Sequence, residues 1–205
     1  MKTKNLILFG GTFDPFHSGH MAVAKYCKEH LVADKLTIIP AKRSPLKQEA
    51  PVADDEDRMK MISLAIHNEQ DIELSDFEIK GSEPSYTINT VKHFIEINPG
   101  WLQVHWLVGV DSISELAHWY RIEKLIEICS LTIMYRGGFG EPDLSVLKGF
   151  LRDDYIKRLA SNVIRTPLVE ISSTEIRRRI SQGEDVSEML APEVFDYIRQ
   201  QGLYR

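Results

Sequence analysis

Two rhythms of apolar and polar positions alternate along the chain. Short apolar stretches at Leu6–Phe9, Leu36–Ile39 (with one threonine), Trp101–Val108, Leu131–Tyr135 and Leu168–Ile171 predict strands buried on both faces, as in a parallel sheet. Between them lie segments of helical period. These run from about Ser18 to Leu31, Asp54 to His67, Ser85 to Ile97, Ile122 to Ile128 and Glu141 to Asn162, then from Ser172 onward, with a last helix from Pro192 to about Gln200. The second helix places Met59, Ile62, Ala65 and Ile66 on one face and acids in its first turn, and Ser85 is placed to cap the third. Ile72–Ile79 alternates apolar with polar residues, the period of a half-exposed strand. The alternation predicts an α/β, Rossmann-like parallel sheet with helices on both faces. It adds a small helical C-terminal extension and places residues 1–205 in one domain. Its crossovers are right-handed and its ligands lie at the carboxyl ends of the strands.

The first such strand end carries the densest chemistry: Gly10-Gly11-Thr12-Phe13-Asp14-Pro15-Phe16-His17-Ser18-Gly19-His20. Glycines there let a phosphate approach the backbone amides, and the next helix points its positive N-terminus at the same place. His17 and His20, three apart, share a face near the helix start. Two imidazole donors beside a bed of amides suit a phosphorus centre that gains negative charge under attack. Neither a G-x-G-x-x-G nor a G-x-x-x-x-G-K-[ST] fingerprint is present. Taken singly, a Gly-Gly reads as a turn and a histidine as a cap.

Composition narrows the partners. In 205 residues, 43% are hydrophobic and 27% charged, which permits a full core, and the net charge of −5 argues against nucleic acid. Cys27 and Cys129 have no metal or redox spacing and read as reduced core thiols of a cytoplasmic protein. No apolar run has the length of a signal peptide or membrane span, so no membrane is expected.

Other loops fall at the same edge. Ala41–Ala53 is rich in Pro and Lys and reads equally as a linker or as a basic lid in which Lys42, Arg43 or Lys47 meets a phosphate. Arg58 by itself reads as a surface, salt-bridging arginine. Pro84-Ser85-Tyr86-Thr87 opens a helix whose N–H groups suit a carboxylate. Gly109-Val110-Asp111-Ser112 ends a strand with a carboxylate that can accept ribose hydroxyls or cap a helix. His118-Trp119-Tyr120 offers rings for stacking or for the core. In Ser172–Ile180, Ser173 or Thr174 can cap. Its arginines oppose the helix dipole, so they need another reason to be there, and an anion supplies one.

Jointly these stretches resemble the HxGH nucleotidyltransferase superfamily, through Thr12 with His17-Ser18-Gly19-His20 and through Ile171-Ser172-Ser173-Thr174-Glu175-Ile176-Arg177, an ISSTxIR pattern. The longer GGTFDPxHxGH, the PSYT stretch, GxDSxxxxxxWY and the C-terminal residues are similar to the bacterial nicotinate-nucleotide adenylyltransferase family. Two positions depart from it: Leu46 stands where the family carries histidine, and Gly137 where it carries proline. Segment 141–165 is also longer than in the family.

The resemblance implies adenylyl transfer from ATP to nicotinate mononucleotide, giving deamido-NAD and pyrophosphate in NAD biosynthesis. Mg²⁺ would accompany the ATP, with few or no dedicated protein ligands. His17, His20 and Arg177 would be catalytic. ATP would be bound by Gly10, Gly11, Thr12, Phe13, His17, Gly19, His20, Gly109, Asp111, Ser173, Thr174 and Arg177. The mononucleotide would be bound by Lys47, Tyr86, Thr87, Asp111, Trp119, Tyr120 and Arg136. Nicotinamide-mononucleotide or pantetheine-phosphate adenylyl transfer, or a non-catalytic nucleotide sensor, remain open alternatives from the residues alone.

Overall fold

The computed structural model describes residues 4–43, 45–46, 49–82, 84–100, 103–136 and 141–205. Among these, six parallel strands form one sheet in the order β3-β2-β1-β4-β5-β6. They are β1 (Asn5–Gly11), β2 (Lys35–Pro40), β3 (Ile72–Leu74), β4 (Gln103–Gly109), β5 (Ser130–Arg136) and β6 (Val163–Thr166). The order reverses between β1 and β4, whose neighbours in the sheet pair in register Leu6 with Val104 and Leu8 with Trp106. Loops leaving β1 and β4 diverge there to opposite sides, which opens a crevice at the carboxyl edge.

The apolar strand runs explain the layers. Alternate residues of a strand face opposite sides. Leu6, Leu8, Val104, Trp106, Leu131 and Ile133 join one core, with α4 (Thr87–Ile97), α5 (Ile122–Ile128) and α6 (Asp153–Ala160) over it. Ile7, Phe9, Leu36, Ile38, Leu107 and Met134 join the other core, under α1 (Ser18–His30) and α2 (Asp55–Ile66). A third cluster joins α2 to α7 (Ser173–Ser181) and α8 (Pro192–Gln201) through Met61, Ile176, Val194, Ile198 and Tyr204. That cluster is the C-terminal helical extension, and it brings the end of the chain back beneath the β1 loop.

Several local expectations are corrected. Ile72–Ile79 keeps only Ile72–Leu74 as strand. The Ser75 hydroxyl accepts from Phe77 N–H at 3.2 Å, and a helical turn, α3 (Phe77–Lys80), follows. Ser85 does not cap α4: its hydroxyl accepts from Lys42 N–H at 3.2 Å, and Tyr86 holds the N-cap position without a side-chain cap. Ser172, not Ser173 or Thr174, caps α7 by accepting from Glu175 N–H at 3.2 Å. Leu168–Ile171 is irregular. The edge position belongs to β6, and Pro167, which has no N–H, follows it. The single helix expected over 141–162 is a 3₁₀ turn (Leu144–Leu147) followed by α6. Trp101, the expected start of β4, lies outside the described residues.

Candidate active site

The β1 loop is held by its histidines. His17 is the N-cap of α1, in extended conformation, and its Nδ1 accepts from His20 N–H at 3.3 Å. His20 Nδ1 in turn accepts from His17 N–H at 3.3 Å, closing a reciprocal capping box. A backbone N–H only donates, so both Nδ1 atoms are acceptors and the proton of each neutral ring sits on Nε2. The two rings stack with centroids 3.6 Å apart, and Phe16 stacks on His20 at 5.2 Å. Gly19 keeps the space beside His17 clear. A Cβ there would lie 3.0 Å from His17 Nδ1 and 3.1 Å from Val169 Cγ1. At Gly10 the Trp106 ring occupies the space of any side chain, so the backbone stays bare to the crevice.

Polar ties from distant segments fix the rest of the loop. Arg58, fully buried rather than on the surface, donates from Nη1 to Thr12 O at 2.7 Å and from Nη2 to Asp55 Oδ1 at 2.6 Å. Asp14 is 4% exposed; its carboxylate accepts from Val52 N–H (2.7 Å), Ala53 N–H (3.1 Å) and the Tyr204 hydroxyl (2.7 Å). A buried carboxylate needs such donors. Burial, and then the Asp14 carboxylate, push the Tyr204 hydroxyl far up, which keeps it a donor. Arg177 reaches out of the first turns of α7 and donates to Asp14 O at 2.7 Å, with Asp14 Oδ2 3.9 Å away. The Ser173 hydroxyl donates to Pro15 O at 2.9 Å, so it braces the loop as well as lining the cleft. Arg178 and Arg179, by contrast, are engaged by Glu175, whose carboxyl their hydrogen bonds pull down to about 2.

Two clefts open on this edge. The first, of about 530 Å³, is lined by every residue expected on ATP: Gly10, Gly11, Thr12, Phe13, His17, Gly19, His20, Gly109, Asp111, Ser173, Thr174 and Arg177. The second, of about 310 Å³, is lined by Tyr86, Thr87, Asp111, Trp119 and Tyr120, with Trp106 and Glu78 in its wall. They share Gly10, Gly11, Thr12, Gly109 and Asp111, so one glycine seam borders both. In the second cleft Tyr86 and Tyr120 pack ring to ring at 4.6 Å, and half-buried Trp119 rests on the core. Glu78 is 6% exposed and accepts from the Thr90 hydroxyl at 2.6 Å; burial raises its pKa. Arg136 is the last residue of β5, and Lys47 lies outside the described residues. Among the described residues, no group of three or more His, Cys, Asp or Glu is arranged to hold a metal.

Sequence reasoning gave no role to Asp14, Glu78, Trp106 and Tyr204, and placed Arg58 on the surface. Asp14 lay inside the quoted motif, where an acid set between Phe13 and Pro15-Phe16 was the available signal. The partners of Arg58 and Tyr204 in the β1 loop, Thr12 and Asp14, are 46 and 190 residues away, so no local spacing announces them.

The Cytidylyltransferase-like family matches residues 8–179. A Clostridium tetani protein named "Probable nicotinate-nucleotide adenylyltransferase" is 32% identical over 202 residues, covering 98% of this chain and 100% of that one. A Caldicellulosiruptor saccharolyticus protein of the same name is 36% identical over 199 residues, covering 97% of each. In fold, the chain is similar to the Plasmodium falciparum nicotinic acid mononucleotide adenylyltransferase complexed with NaAD, with a TM-score of 0.74 at 22% identity over 98% of this chain and 97% of that one. On end-to-end likeness to such relatives, the chain belongs to the nicotinate-nucleotide adenylyltransferase family of nucleotidyltransferases.

Proposed function

We propose that ATP occupies the first cleft and nicotinate mononucleotide the second, and that adenylyl transfer takes place over the seam they share. The protein is a nucleotidyltransferase of NAD biosynthesis, and its products are deamido-NAD and pyrophosphate. The observation that carries the assignment is that, among the described residues, the two clefts share Gly10–Thr12, Gly109 and Asp111, next to the stacked histidines.

The 5′-phosphate of the mononucleotide attacks the α-phosphorus of Mg·ATP. A new P–O bond forms, the bond to the bridging oxygen breaks, and pyrophosphate leaves with its electron pair. No covalent enzyme intermediate is needed. The protein positions the reactants and neutralises charge. The Nε2–H groups of His17 and His20 donate to the α-phosphoryl oxygens, where negative charge accumulates. Arg177 and the N-terminus of α7 at Ser173 and Thr174 hold the departing pyrophosphate. Mg²⁺ comes with the triphosphate as part of the substrate. Asp111 serves ribose hydroxyls at the seam. Trp119 and Tyr120 stack on the pyridine ring, and the N–H groups at Tyr86–Thr87 take its carboxylate. Lys47 and Arg136 act on the mononucleotide side. The reading as one nucleotidyltransferase domain is supported by continuous packing from β1 to α8. No helix among the described residues is long and apolar enough to cross a membrane, and Cys27 and Cys129 are free and buried. These support a cytoplasmic enzyme.

The test is direct. The protein is incubated with ATP, Mg²⁺ and, in turn, nicotinate mononucleotide, nicotinamide mononucleotide and phosphopantetheine, and the products are identified by chromatography and mass. Deamido-NAD with stoichiometric pyrophosphate is expected. Formation of dephospho-coenzyme A from phosphopantetheine instead, or no product from any acceptor, contradicts it.

A further inference from the structure

We propose that Tyr204, next to last in the chain, is a positioning residue for ATP that acts through Asp14 on Arg177; this rests on reading the first cleft as the ATP site. Tyr204 is 8% exposed and adopts a left-handed backbone conformation, φ +64°, which a tyrosine seldom takes. Its ring packs in the α2–α7–α8 cluster and its hydroxyl reaches Asp14 Oδ1 at 2.7 Å. Asp14 is the junction. On its carboxylate side it takes Tyr204, Val52 N–H and Ala53 N–H, and on its main-chain side it takes Arg177 Nη1.

The geometry makes the carboxylate and the guanidinium compete. Arg177 Nη1 sits 2.7 Å from Asp14 O but 3.9 Å from Asp14 Oδ2, so it is near the carboxylate without closing a short ion pair. With the Tyr204 hydroxyl in place, the buried charge has enough donors and Arg177 is left to face the cleft. Without that hydroxyl the carboxylate is under-compensated, and among the described residues Arg177 is the cation within 4 Å of it. A shift of about 1 Å closes the pair and draws guanidinium donors away from the pyrophosphate. Among the described residues, none that lines the second cleft takes part in this chain of contacts.

The test is Tyr204→Phe in the full chain. The expected result is a rise of about tenfold in KM for ATP and in the Kd for ATP measured by calorimetry without acceptor, with KM for nicotinate mononucleotide within about twofold of the parent. Tyr197→Phe is the control. It removes the hydroxyl of a tyrosine within α8, which donates to Asp57 Oδ1 at 2.7 Å, and is expected to leave both KM values in place. A double-mutant cycle separates positioning from general loosening: in an Arg177→Ala background, Tyr204→Phe is expected to add nothing to KM for ATP. Equal loss of ATP and acceptor binding in Tyr204→Phe, unchanged ATP binding, or an additive effect over Arg177→Ala overturns the proposal. Failure of the underlying site reading would look different: Arg177→Ala itself would leave ATP binding unchanged.

Discussion

The two clefts share a seam but are built by different means. The first is assembled from segments far apart in the chain, tied by side-chain hydrogen bonds onto a short loop: Arg58 to Thr12, Val52 and Ala53 to Asp14, Ser173 to Pro15, Arg177 and Tyr204 to Asp14. The second is walled by aromatic faces from β4, from the N-cap of α4 and from the turn after the 3₁₀ segment Val110–His118, with Trp106, Tyr86, Trp119 and Tyr120 supplying the surface. A site that stabilises a charged, short-lived arrangement needs donors fixed in place, and buried polar ties fix them. A site that holds a flat ring needs area, which rings supply with few directional constraints.

The largest expected effects lie at the seam. His17→Ala or His20→Ala is expected to lower kcat about 100- to 1,000-fold, corresponding to about 2.7–4 kcal/mol for one lost donor, while mononucleotide binding stays near normal. Steady-state kinetics with both substrates varied checks this; near-normal kcat in both variants removes the histidines from the chemistry. Next in size is a contrast within one helix. Arg177→Ala should raise KM for ATP by roughly 10- to 100-fold, the range of a lost charge-assisted bond, with the acceptor Kd unchanged. Arg178→Ala should change neither, because Glu175 engages that side chain. Equal behaviour of the two variants breaks the division between cleft-facing and solvent-facing arginines.

On the second side smaller effects are expected. Trp119→Ala should weaken nicotinate and nicotinamide mononucleotides alike, by about two- to tenfold, as a lost ring stack does. Thr87→Pro should act selectively. Thr87 is the first residue of α4, where proline is tolerated, so the helix persists while one N–H is lost. Nicotinate mononucleotide should suffer more than the amide, and competition at equal concentrations reads the difference.

The smallest effect expected is a pH slope in stability. Burial raises the Glu78 pKa in the folded state, so the folded chain binds its proton more tightly than the unfolded chain. That stabilisation is fully present below the ordinary glutamate pKa and is lost as pH rises through the raised folded value. Denaturation in urea across this window should show a slope that Glu78→Gln abolishes.

The same contrast explains how much could be read from the chain. Strands β1, β2, β4 and β5 were legible because apolar runs buried on both faces carry their own signal. The lining of the first cleft was named through the resemblance of the GGTFDPxHxGH and ISSTxIR stretches, and the local packing agrees with it: a Cβ at Gly19 would press on His17 Nδ1, and His17 caps the helix it starts. A local rule misled at Ser85. By local rule it caps α4, but Lys42 N–H, 43 residues earlier, takes its hydroxyl. Ile72–Ile79 misled because the Ser75 hydroxyl turns the chain where the alternation says to continue. Arg58 looked like a surface residue because its acceptor, the Thr12 carbonyl, comes from another element.

The central claim is that the donor nucleotide lies on the hydrogen-bonded side of the seam and the pyridine nucleotide on the aromatic side. A crystal structure with deamido-NAD bound tests it most directly. The adenosine is expected in the cleft lined by His17, Gly109 and Arg177, the phosphates over Gly10–Thr12, and the pyridine ring against Trp119 with its carboxylate at the Tyr86–Thr87 amides. A dinucleotide bound in the opposite sense, or one whose phosphates bypass His17 and His20, would contradict the account.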